Sequence, residues 1–307
     1  MRDLVRDLAL ALREHVLPSL GSHAARGHDD GAEGAGGDVT FAIDAGAEAR
    51  LEEFLAERAP DVAFYSEDRG LVVPPDADAA VVLVVDPIDG TRPALAGLES
   101  CCVSVALAPL HGEPTMADVS HGCVVEIPSG RVFLAERGAG ILEGPPVRLS
   151  ANEQLDRMFW TYGFRGRPAR ALTEVLAELI DVSSVGGGTF ELGSAAFDSV
   201  CVLDGRLDAY VEPGPRMVAD VPGMREEFER VGGGAVLNNS PYDLAASVLL
   251  LEEAGAVVTD AYGAPLGDRP LLGSGAEYQM SIVASANAAL HERILTAVEA
   301  GIGRLNG

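Results

Sequence analysis

Two carboxylates three positions apart, Asp86 and Asp89, follow an apolar run in the stretch Val-Val-Leu-Val-Val-Asp-Pro-Ile-Asp-Gly-Thr. Pro87 cannot donate to a strand ladder, so we expect the chain to turn there. Such a turn can aim both carboxylates and an intervening carbonyl at one centre, which suits a hard divalent cation. Gly90 leaves room for backbone amides near a phosphate oxygen, and the Thr91 hydroxyl could hold a nucleophilic water. Taken alone, the pattern also fits an Asx-type turn without function.

The elements that would position these residues follow from the spacing of apolar side chains. Three apolar segments between residues 102 and 136, separated by Gly and Pro turns, predict an antiparallel meander. From about residue 150, longer helical patterns alternate with short strands. Helices are expected at 3–16, 44–59, 171–180, 191–203, 244–254 and 286–300, and strands at 62–65, 80–85, 102–107, 122–126, 131–136, 208–211, 256–259 and 282–284.

The change of pattern near residue 150 predicts one compact unit with two halves, because no long linker separates them. Residues 1–150 would form an N-terminal α+β half that carries most of the candidate metal ligands. Residues 151–307 would form an α/β half with the substrate-side residues and Asp243. The Gly-, Ala- and Asp-rich segment 21–38 is expected to be a mobile loop.

Charge and composition exclude several classes of protein. The 307 residues include 22 basic and 47 acidic side chains, a formal net charge of −25 that would repel nucleic acid and anionic membranes. No apolar stretch approaches the ~20 residues that span a bilayer. Charges run through the N-terminal helix, unlike the apolar centre of a signal peptide, so a cytoplasmic location is expected. The four cysteines lack the spacing of a zinc site or a disulfide framework.

Five ordered segments carry a resemblance to a known family. Residues 86–91 (DPIDGT) resemble the first signature of the inositol monophosphatase superfamily, which includes inositol monophosphatases, archaeal-type fructose bisphosphatases and bisphosphonucleotide phosphatases. The other similar segments are 38–44 (DVTFAID), 64–68 (FYSED), 191–196 (ELGSAA) with 207–212 (LDAYVE), and 242–246 (YDLAA) with 253–260 (EAGAVVTD). The resemblance implies an α+β fold, a layered α/β/α/β/α sandwich of the sugar phosphatase type. It also implies a Mg²⁺-dependent phosphomonoesterase that forms a homodimer.

The resemblance implies a metal centre of two or three Mg²⁺ ions. Glu67, Asp86 and the Ile88 carbonyl oxygen would hold one ion. Asp86, Asp89 and Asp243 would hold a second, and a third, weaker ion would lie near Glu67. Glu67 would therefore serve catalysis as well as metal binding. Taken alone, Asp243 also fits the N-cap of the helix that follows it.

The resemblance also assigns roles around the substrate. Thr91, paired with Asp44, would orient the attacking water. The substrate would be a small phosphate ester. Its candidate contacts are Gly90, Thr91, Arg92, Gly193, Ser194, Ala195, Glu212 and Arg216.

Departures from the inositol-type pattern leave the substrate open. Arg92 and Pro93 follow the Gly-Thr pair, and about 30 residues separate Glu212 from Asp243, far more than in the inositol enzymes. The insertion at residues 213–242 is rich in arginine and would lie near the non-reacting part of the substrate. Inositol monophosphate is the first expectation. A fructose-1,6-bisphosphatase or another bisphosphate phosphatase is the alternative, since arginine suits a second phosphate. A catalytically silent, metal-binding homologue is a third interpretation.

Overall fold

The computed structural model describes residues 1–26, 28–33, 39–75 and 78–307. Helix, sheet, helix, sheet and helix follow one another as layers, which confirms the expected α/β/α/β/α sandwich. The helices are α1 (Arg2–Val16), α2 (Ala42–Arg58), α3 (Thr91–Ala96), α4 (Ala169–Ser183), α5 (Ala195–Leu203), α6 (Gly214–Asp220), α7 (Met224–Val231), α8 (Pro241–Ala254) and α9 (Ala288–Leu305). The strands are β1 (His28–Glu33), β2 (Val39–Phe41), β3 (Ala63–Ser66), β4 (Gly70–Val72), β5 (Val81–Asp89), β6 (Cys102–Pro109), β7 (His121–Glu126), β8 (Val132–Glu136), β9 (Gly140–Glu143), β10 (Phe159–Tyr162), β11 (Gly188–Phe190), β12 (Ala209–Glu212), β13 (Val257–Thr259) and β14 (Ile282–Ser285).

The first sheet has seven strands in the order β4-β3-β5-β6-β7-β8-β9. Strands β5 to β9 form the expected antiparallel meander, whereas β3 pairs parallel with β5. Alternate residues of β6 enter different cores. Val103 and Val105 pack with α1 and α2, and Cys102 and Ala106 pack with α5 and α8. Both faces of this sheet are therefore covered by helices, as its nearly continuous apolar sequence requires.

The second sheet has five strands in the order β11-β10-β12-β14-β13. Helices α5 and α8 fill the space between the two sheets, and α4 and α9 cover the outer face of the second one. Although α8 belongs to the second half of the chain, it packs against β5, β6 and β7 of the first half. One buried core therefore contains residues from both halves, and it brings Asp243 on α8 to the end of β5.

Several elements differ from the sequence-based predictions. The helix expected at 191–203 begins only at Ala195, because Gly193 has φ +80° and the Ser194 side chain caps the helix by accepting a hydrogen bond from the Phe197 N–H. Strand β5 does not end at Asp86 but continues through Pro87 to Asp89, with a β-bulge that accommodates the missing N–H.

Two segments for which no helix or strand was predicted contain some regular structure. Part of the Gly-rich segment 21–38 forms β1, which pairs antiparallel with β2. Residue 27 and residues 34–38 lie outside the described residues. They include Asp38 of the 38–44 segment that resembles the family. The insertion at 213–242 folds into α6 and α7. Strands β9, β10 and β11 are short and were not expected from the apolar pattern.

Candidate active site

Three carboxylates converge where β5 meets α8. Asp86, Asp89 and Asp243 each offer an oxygen within 4.8 Å of the other two. Asp86 and Asp89 are buried, and Asp243 is half-buried. Oxygen ligands at this spacing suit a hard divalent cation, so the donor set fits the metal that the sequence led us to expect.

The bulge at the end of β5 fixes the first two carboxylates. Asp86 Oδ1 accepts a hydrogen bond from the Ile88 N–H at 3.0 Å. Asp89 Oδ2 accepts from the Ser194 hydroxyl at 2.9 Å and from the Ala196 N–H. The first turn of α5, in the second half of the chain, therefore holds a carboxylate from the first half. Ser194 and Ala195 lie in this supporting segment, on the wall of the site.

Asp243 caps the start of α8 and also lies beside the other two carboxylates. It lies in the first turn of α8, and its Oδ2 accepts a hydrogen bond from the Ser240 N–H at 2.6 Å in a capping box. Ser240 is thus the N-cap, and Asp243 is the third residue of the helix. A capping carboxylate has a second oxygen, and this geometry directs Asp243 toward Asp86 and Asp89 as well. The helix-cap and metal-ligand interpretations are compatible.

A polarised hydroxyl lies beside the carboxylates. The Thr91 Oγ1 is 3.1 Å from Asp44 Oδ1 and 3.2 Å from the Ile88 carbonyl oxygen. The Phe41 N–H anchors the other oxygen of Asp44 at 2.9 Å. A threonine hydroxyl has one proton and two lone pairs, so with its proton given to one of these acceptors it can still accept a hydrogen bond. The pairing of Thr91 with Asp44 matches the sequence-based expectation in geometry.

Glu67 follows β3 and faces the same cleft. It lines the cleft together with Asp86 and Asp89, and its charge contributes to a raised pKa of Asp86. It does not share the 4.8 Å cluster of the three aspartates. The structure therefore brings Glu67 to the edge of the carboxylate centre.

The carboxylate cluster is electrostatically costly without a cation. Burial, followed by the charges of Asp89, Glu67 and Asp243, raises the pKa of Asp86 well above its usual value. Burial also raises the pKa of Asp89 to about 6 and, with the Asp89 charge adding to it, the pKa of Asp243 to about 7. A bound divalent cation reverses this effect, because it favours the charged form of each carboxylate.

Gly90 makes the turn after Asp89 possible. Its φ is +90°, and an added Cβ would lie 2.7 Å from the Ser100 carbonyl oxygen and 2.9 Å from the Ser194 Cβ. Any side chain here would therefore collide with both walls. The absence of one lets the β5 end and the α5 start approach each other.

An open cleft with a volume of about 760 Å³ extends from the carboxylates. Four of the predicted substrate contacts, Gly90, Thr91, Arg92 and Gly193, line it. Arg92 is exposed, and its guanidinium carbon lies 5.5 Å from the centre of the Phe41 ring. The cleft is large enough for a small phosphate ester.

Two expected substrate contacts lie elsewhere. Glu212 is fully buried behind the cleft wall, where one oxygen accepts from the Gly214 N–H at 2.7 Å and the other lies 2.7 Å from the Arg167 guanidinium. The Arg216 guanidinium donates to the Ala261 carbonyl oxygen at 2.7 Å and pairs with Glu299. These contacts direct the Arg216 side chain from α6 toward α9, and it does not line the cleft. Its substrate role therefore stays a prediction that these contacts do not support.

Two arginines that sequence reasoning missed lie near the carboxylates instead. Arg165 and Arg167 lie on the loop between β10 and α4, beside Asp89 and Asp243. The run Phe164-Arg-Gly-Arg-Pro168 is a cationic turn in a very acidic chain, and that contrast is the signal that could have found them. Asn238, near the end of the insertion, also lines the site and carries no recognisable motif.

A carboxylate centre beside a polarised hydroxyl, at the mouth of an open cleft in this sandwich, defines a phosphoric monoester hydrolase. The model of the inositol monophosphatase family matches residues 3–302, and the chain belongs to this family. No helix among the described residues has the length and hydropathy to cross a membrane.

Sequence relatives agree with this assignment, and a solved structure shares the fold. The chain is 30% identical over 275 residues to the fructose-1,6-bisphosphatase/inositol-1-monophosphatase of Methanothermobacter thermautotrophicus, covering 87% of this chain and 85% of that protein. It is 29% identical over 272 residues to Nus factor SuhB of Xylella fastidiosa, covering 87% and 84%. The Thermotoga maritima IMPase shares the fold, with a TM-score of 0.70 at 20% identity over 99% of this chain and 98% of that one.

Proposed function

We propose that this phosphatase is Mg²⁺-dependent and hydrolyses a hydroxyl-rich phosphate monoester, with inositol monophosphate as the first candidate. The observation that carries the proposal is the cluster of Asp86, Asp89 and Asp243 with the Thr91–Asp44 pair beside it. Glu67, Asp86 and the Ile88 carbonyl oxygen would hold one ion, and Asp86, Asp89 and Asp243 would hold a second. A third, weaker ion would lie near Glu67. Bound Mg²⁺ would supply positive charge that lowers the pKa of a coordinated water and stabilises the leaving oxygen. We further propose that the enzyme works as a homodimer, as the family resemblance implies.

The protein's own residues would position the nucleophile. With its proton directed to Asp44 or to the Ile88 carbonyl oxygen, Thr91 Oγ1 presents a lone pair to the cleft. A water that donates to this lone pair is held with its own oxygen lone pairs free to attack phosphorus. Because Asp44 is itself anchored by the Phe41 N–H, the hydroxyl cannot rotate freely. Fixed positioning of this kind acts on the chemical step.

The direct test is phosphate release from inositol 1-phosphate, with Mg²⁺ and with excess EDTA. We expect hydrolysis in Mg²⁺ and none after chelation, and activity should return when Mg²⁺ is restored. Full activity in excess EDTA would overturn the metal dependence. Absence of hydrolysis from every phosphate ester under saturating Mg²⁺ would favour the catalytically silent interpretation instead.

A bisphosphatase is the second candidate, because two cations line the open cleft. Arg92 and Arg165 both face it, and guanidinium groups bind phosphate through paired donors. The relative from Methanothermobacter carries both activities in its name. The test compares kcat/KM for fructose 1,6-bisphosphate and inositol 1-phosphate in wild type and Arg92→Ala. A selective loss for the bisphosphate would support this candidate, and equal effects on both substrates would exclude Arg92 from such a site.

A further inference from the structure

Helix α2 presents two carboxyl groups to the end of the seven-stranded sheet. Asp44 and Glu48 are four residues apart, so they lie one turn from each other on the same face of α2. The Asp44 Oδ1 lies 3.1 Å from the Thr91 hydroxyl oxygen. Glu48 is only 2% exposed, and it does not line the cleft. Burying a carboxyl group costs free energy unless hydrogen bonds replace its hydration, so the bonds of Glu48 indicate its role.

The hydrogen bonds of Glu48 lie on both sides of Glu67 in the chain. The Ser66 hydroxyl donates to Glu48 Oε2 at 2.9 Å, in a fully buried contact. The Asp68 N–H is directed to the other oxygen, Oε1, at a longer 3.5 Å. The Asp68 carboxylate in turn accepts a hydrogen bond from the Thr40 hydroxyl at 2.8 Å. The residues immediately before and after Glu67 are therefore both held from the α2 side of the sheet.

The pairing of β3 with β5 places Glu67 beside the carboxylate centre. The two strands are parallel, and Ser66, the last residue of β3, lies opposite Val85, which precedes Asp86. Glu67 and Asp86 therefore follow neighbouring strands at the same end of the sheet. Both of their side chains line the cleft.

The direction of the Glu67 side chain depends on the residue before it. Phe64 packs into the core that contains α1 and α2, whereas Tyr65 packs into the core that contains α5 and α8. Ser66 continues this alternation, since its hydroxyl reaches α2. The next side chain, Glu67, is thereby directed to the α8 side of the sheet, where the cleft and Asp243 lie.

We propose that Glu48 is a positioning residue for Glu67. By holding the residues on either side, it fixes the direction in which the Glu67 carboxylate meets a divalent cation. The inference rests on the proposed function, because it assumes that Mg²⁺ binds at the carboxylate centre. Glu67 does not share the 4.8 Å cluster of the three aspartates, so its approach to an ion depends on the turn that carries it. Residues that orient a metal ligand typically contribute about 10- to 100-fold to metal affinity.

The experiment measures Mg²⁺ binding without substrate, as the rise in the free energy of unfolding when Mg²⁺ is added at constant ionic strength. Each variant is compared with its own metal-free form, so a loss of stability alone does not change the result. We expect Glu48→Ala to weaken Mg²⁺ binding about 10- to 100-fold, because the Glu67 carboxylate loses its fixed direction. In the Glu67→Ala background, Glu48→Ala should change Mg²⁺ binding by less than about twofold, since the ligand that it positions has been removed.

Ser66→Ala tests the same contact from the other side. It removes a single oxygen from a buried residue, so it serves if Glu48→Ala fails to fold, and it should weaken Mg²⁺ binding only where Glu67 is present. The matched control is Glu53→Ala, on the exposed side of α2, where Glu53 pairs with Arg50. It should leave Mg²⁺ binding unchanged.

Two patterns of Mg²⁺ binding would overturn the positioning role of Glu48. One is an equal loss in Glu48→Ala with and without Glu67, which would show that the effect does not pass through that ligand. The other is unchanged binding in both Glu48→Ala and Ser66→Ala. Either result leaves Mg²⁺ binding by the wild type intact, whereas a wild type that Mg²⁺ stabilises no more than matched NaCl would overturn the proposed metal dependence itself.

Discussion

At the scale of a single residue, Asp89 makes two kinds of contact. It faces the carboxylates of Asp86 and Asp243, and it accepts hydrogen bonds from the Ser194 hydroxyl and the Ala196 N–H. Asp89→Asn keeps an oxygen for those two donors but removes the negative charge. We therefore expect an intact fold and a kcat at least about 100-fold lower, since metal charge contributes several kcal/mol to the transition state. Steady-state kinetics at saturating Mg²⁺ measure this. Asp268→Asn, at an exposed site outside the cleft, is the control and should leave kcat unchanged.

The hydroxyl of Thr91 allows a sharper test, because serine retains it. If Thr91 Oγ1 orients water, Thr91→Ala should lower kcat by about 10²-fold or more with little change in KM. Thr91→Ser should recover most of the rate, since its hydroxyl can make the same bonds to Asp44 and the Ile88 carbonyl oxygen. Equal kcat for wild type and Thr91→Ala at saturating substrate would remove this residue from the mechanism.

Residue types and their order were enough to predict that Asp86, Asp89 and Asp243 lie close together, because a family motif marks each of them. Arg216 and Asn238 show where such reasoning ends. Nothing in the sequence near Arg216 specifies which way α6 turns its side chain, and the structure directs it to the Ala261 carbonyl oxygen. Asn238 lies in an insertion without a motif, so only the folded chain reveals that it lines the site beside Asp89 and Asp243.

At the scale of elements, the site depends on turns that tolerate no side chain. Gly90 combines a φ of +90° with a Cβ position 2.7 Å from the Ser100 carbonyl oxygen. Gly90→Ala should therefore lower the free energy of unfolding by more than the ~1–3 kcal/mol that a strained backbone conformation alone costs, because the end of β5 and the start of α5 must also separate. Urea unfolding measures the loss. Gly138→Ala is the control: its φ is +78°, but nothing lies within 4 Å of the added Cβ, so it should show the conformational cost only.

Arg216 links α6 to α9 and to the loop after β13. Its guanidinium donates to the Ala261 carbonyl oxygen, pairs with Glu299 and lies 4.5 Å from the Tyr262 ring centre. We expect Arg216→Ala to lower the free energy of unfolding by about 1–3 kcal/mol, chiefly through the buried hydrogen bond, since Glu299 is exposed and its ion pair is screened. The kcat/KM should not change, because this residue does not line the cleft. A catalytic loss at unchanged stability would restore its substrate role.

Each of the mispredicted elements has its own physical reason. Apolar periodicity continued through Glu191 and Leu192, but Gly193 and the Ser194 cap start the helix later. Pro87 predicts the end of a strand, yet a bulge lets β5 continue to Asp89. The short helices α6 and α7 contain Pro and Gly near their starts and have no long apolar face, so tertiary packing decides their existence.

At the scale of the whole molecule, the layering could be expected from resemblance but not from the hydrophobic pattern. Strands such as β6 are apolar on both faces, and this shows only that each face is covered. The pattern does not reveal that α8, from the far half of the chain, covers one of them. That crossing places Asp243 against β5, so the carboxylate centre forms only when both halves are folded together. The site and the core should therefore unfold in one transition.

Metal binding should accordingly stabilise the whole molecule, and more strongly at higher pH. The folded-state pKa of Asp89 is about 6 and that of Asp243 about 7, against a usual value of 3.8. Without metal, these groups favour folding below about pH 4, and that stability is lost as the pH rises through about 6 to 7. Mg²⁺ binds the charged forms, so its stabilisation grows over the same window, reaching about 2.7 kcal/mol at a hundredfold excess over Kd.

Urea unfolding in Mg²⁺ and in EDTA, at about pH 5 and pH 8 with NaCl matching the ionic strength, measures this stabilisation. The salt control is needed because a net charge of −25 is screened by any cation. Asp89→Asn should reduce the difference at both pH values, and a Mg²⁺ effect equal to that of NaCl would contradict specific binding.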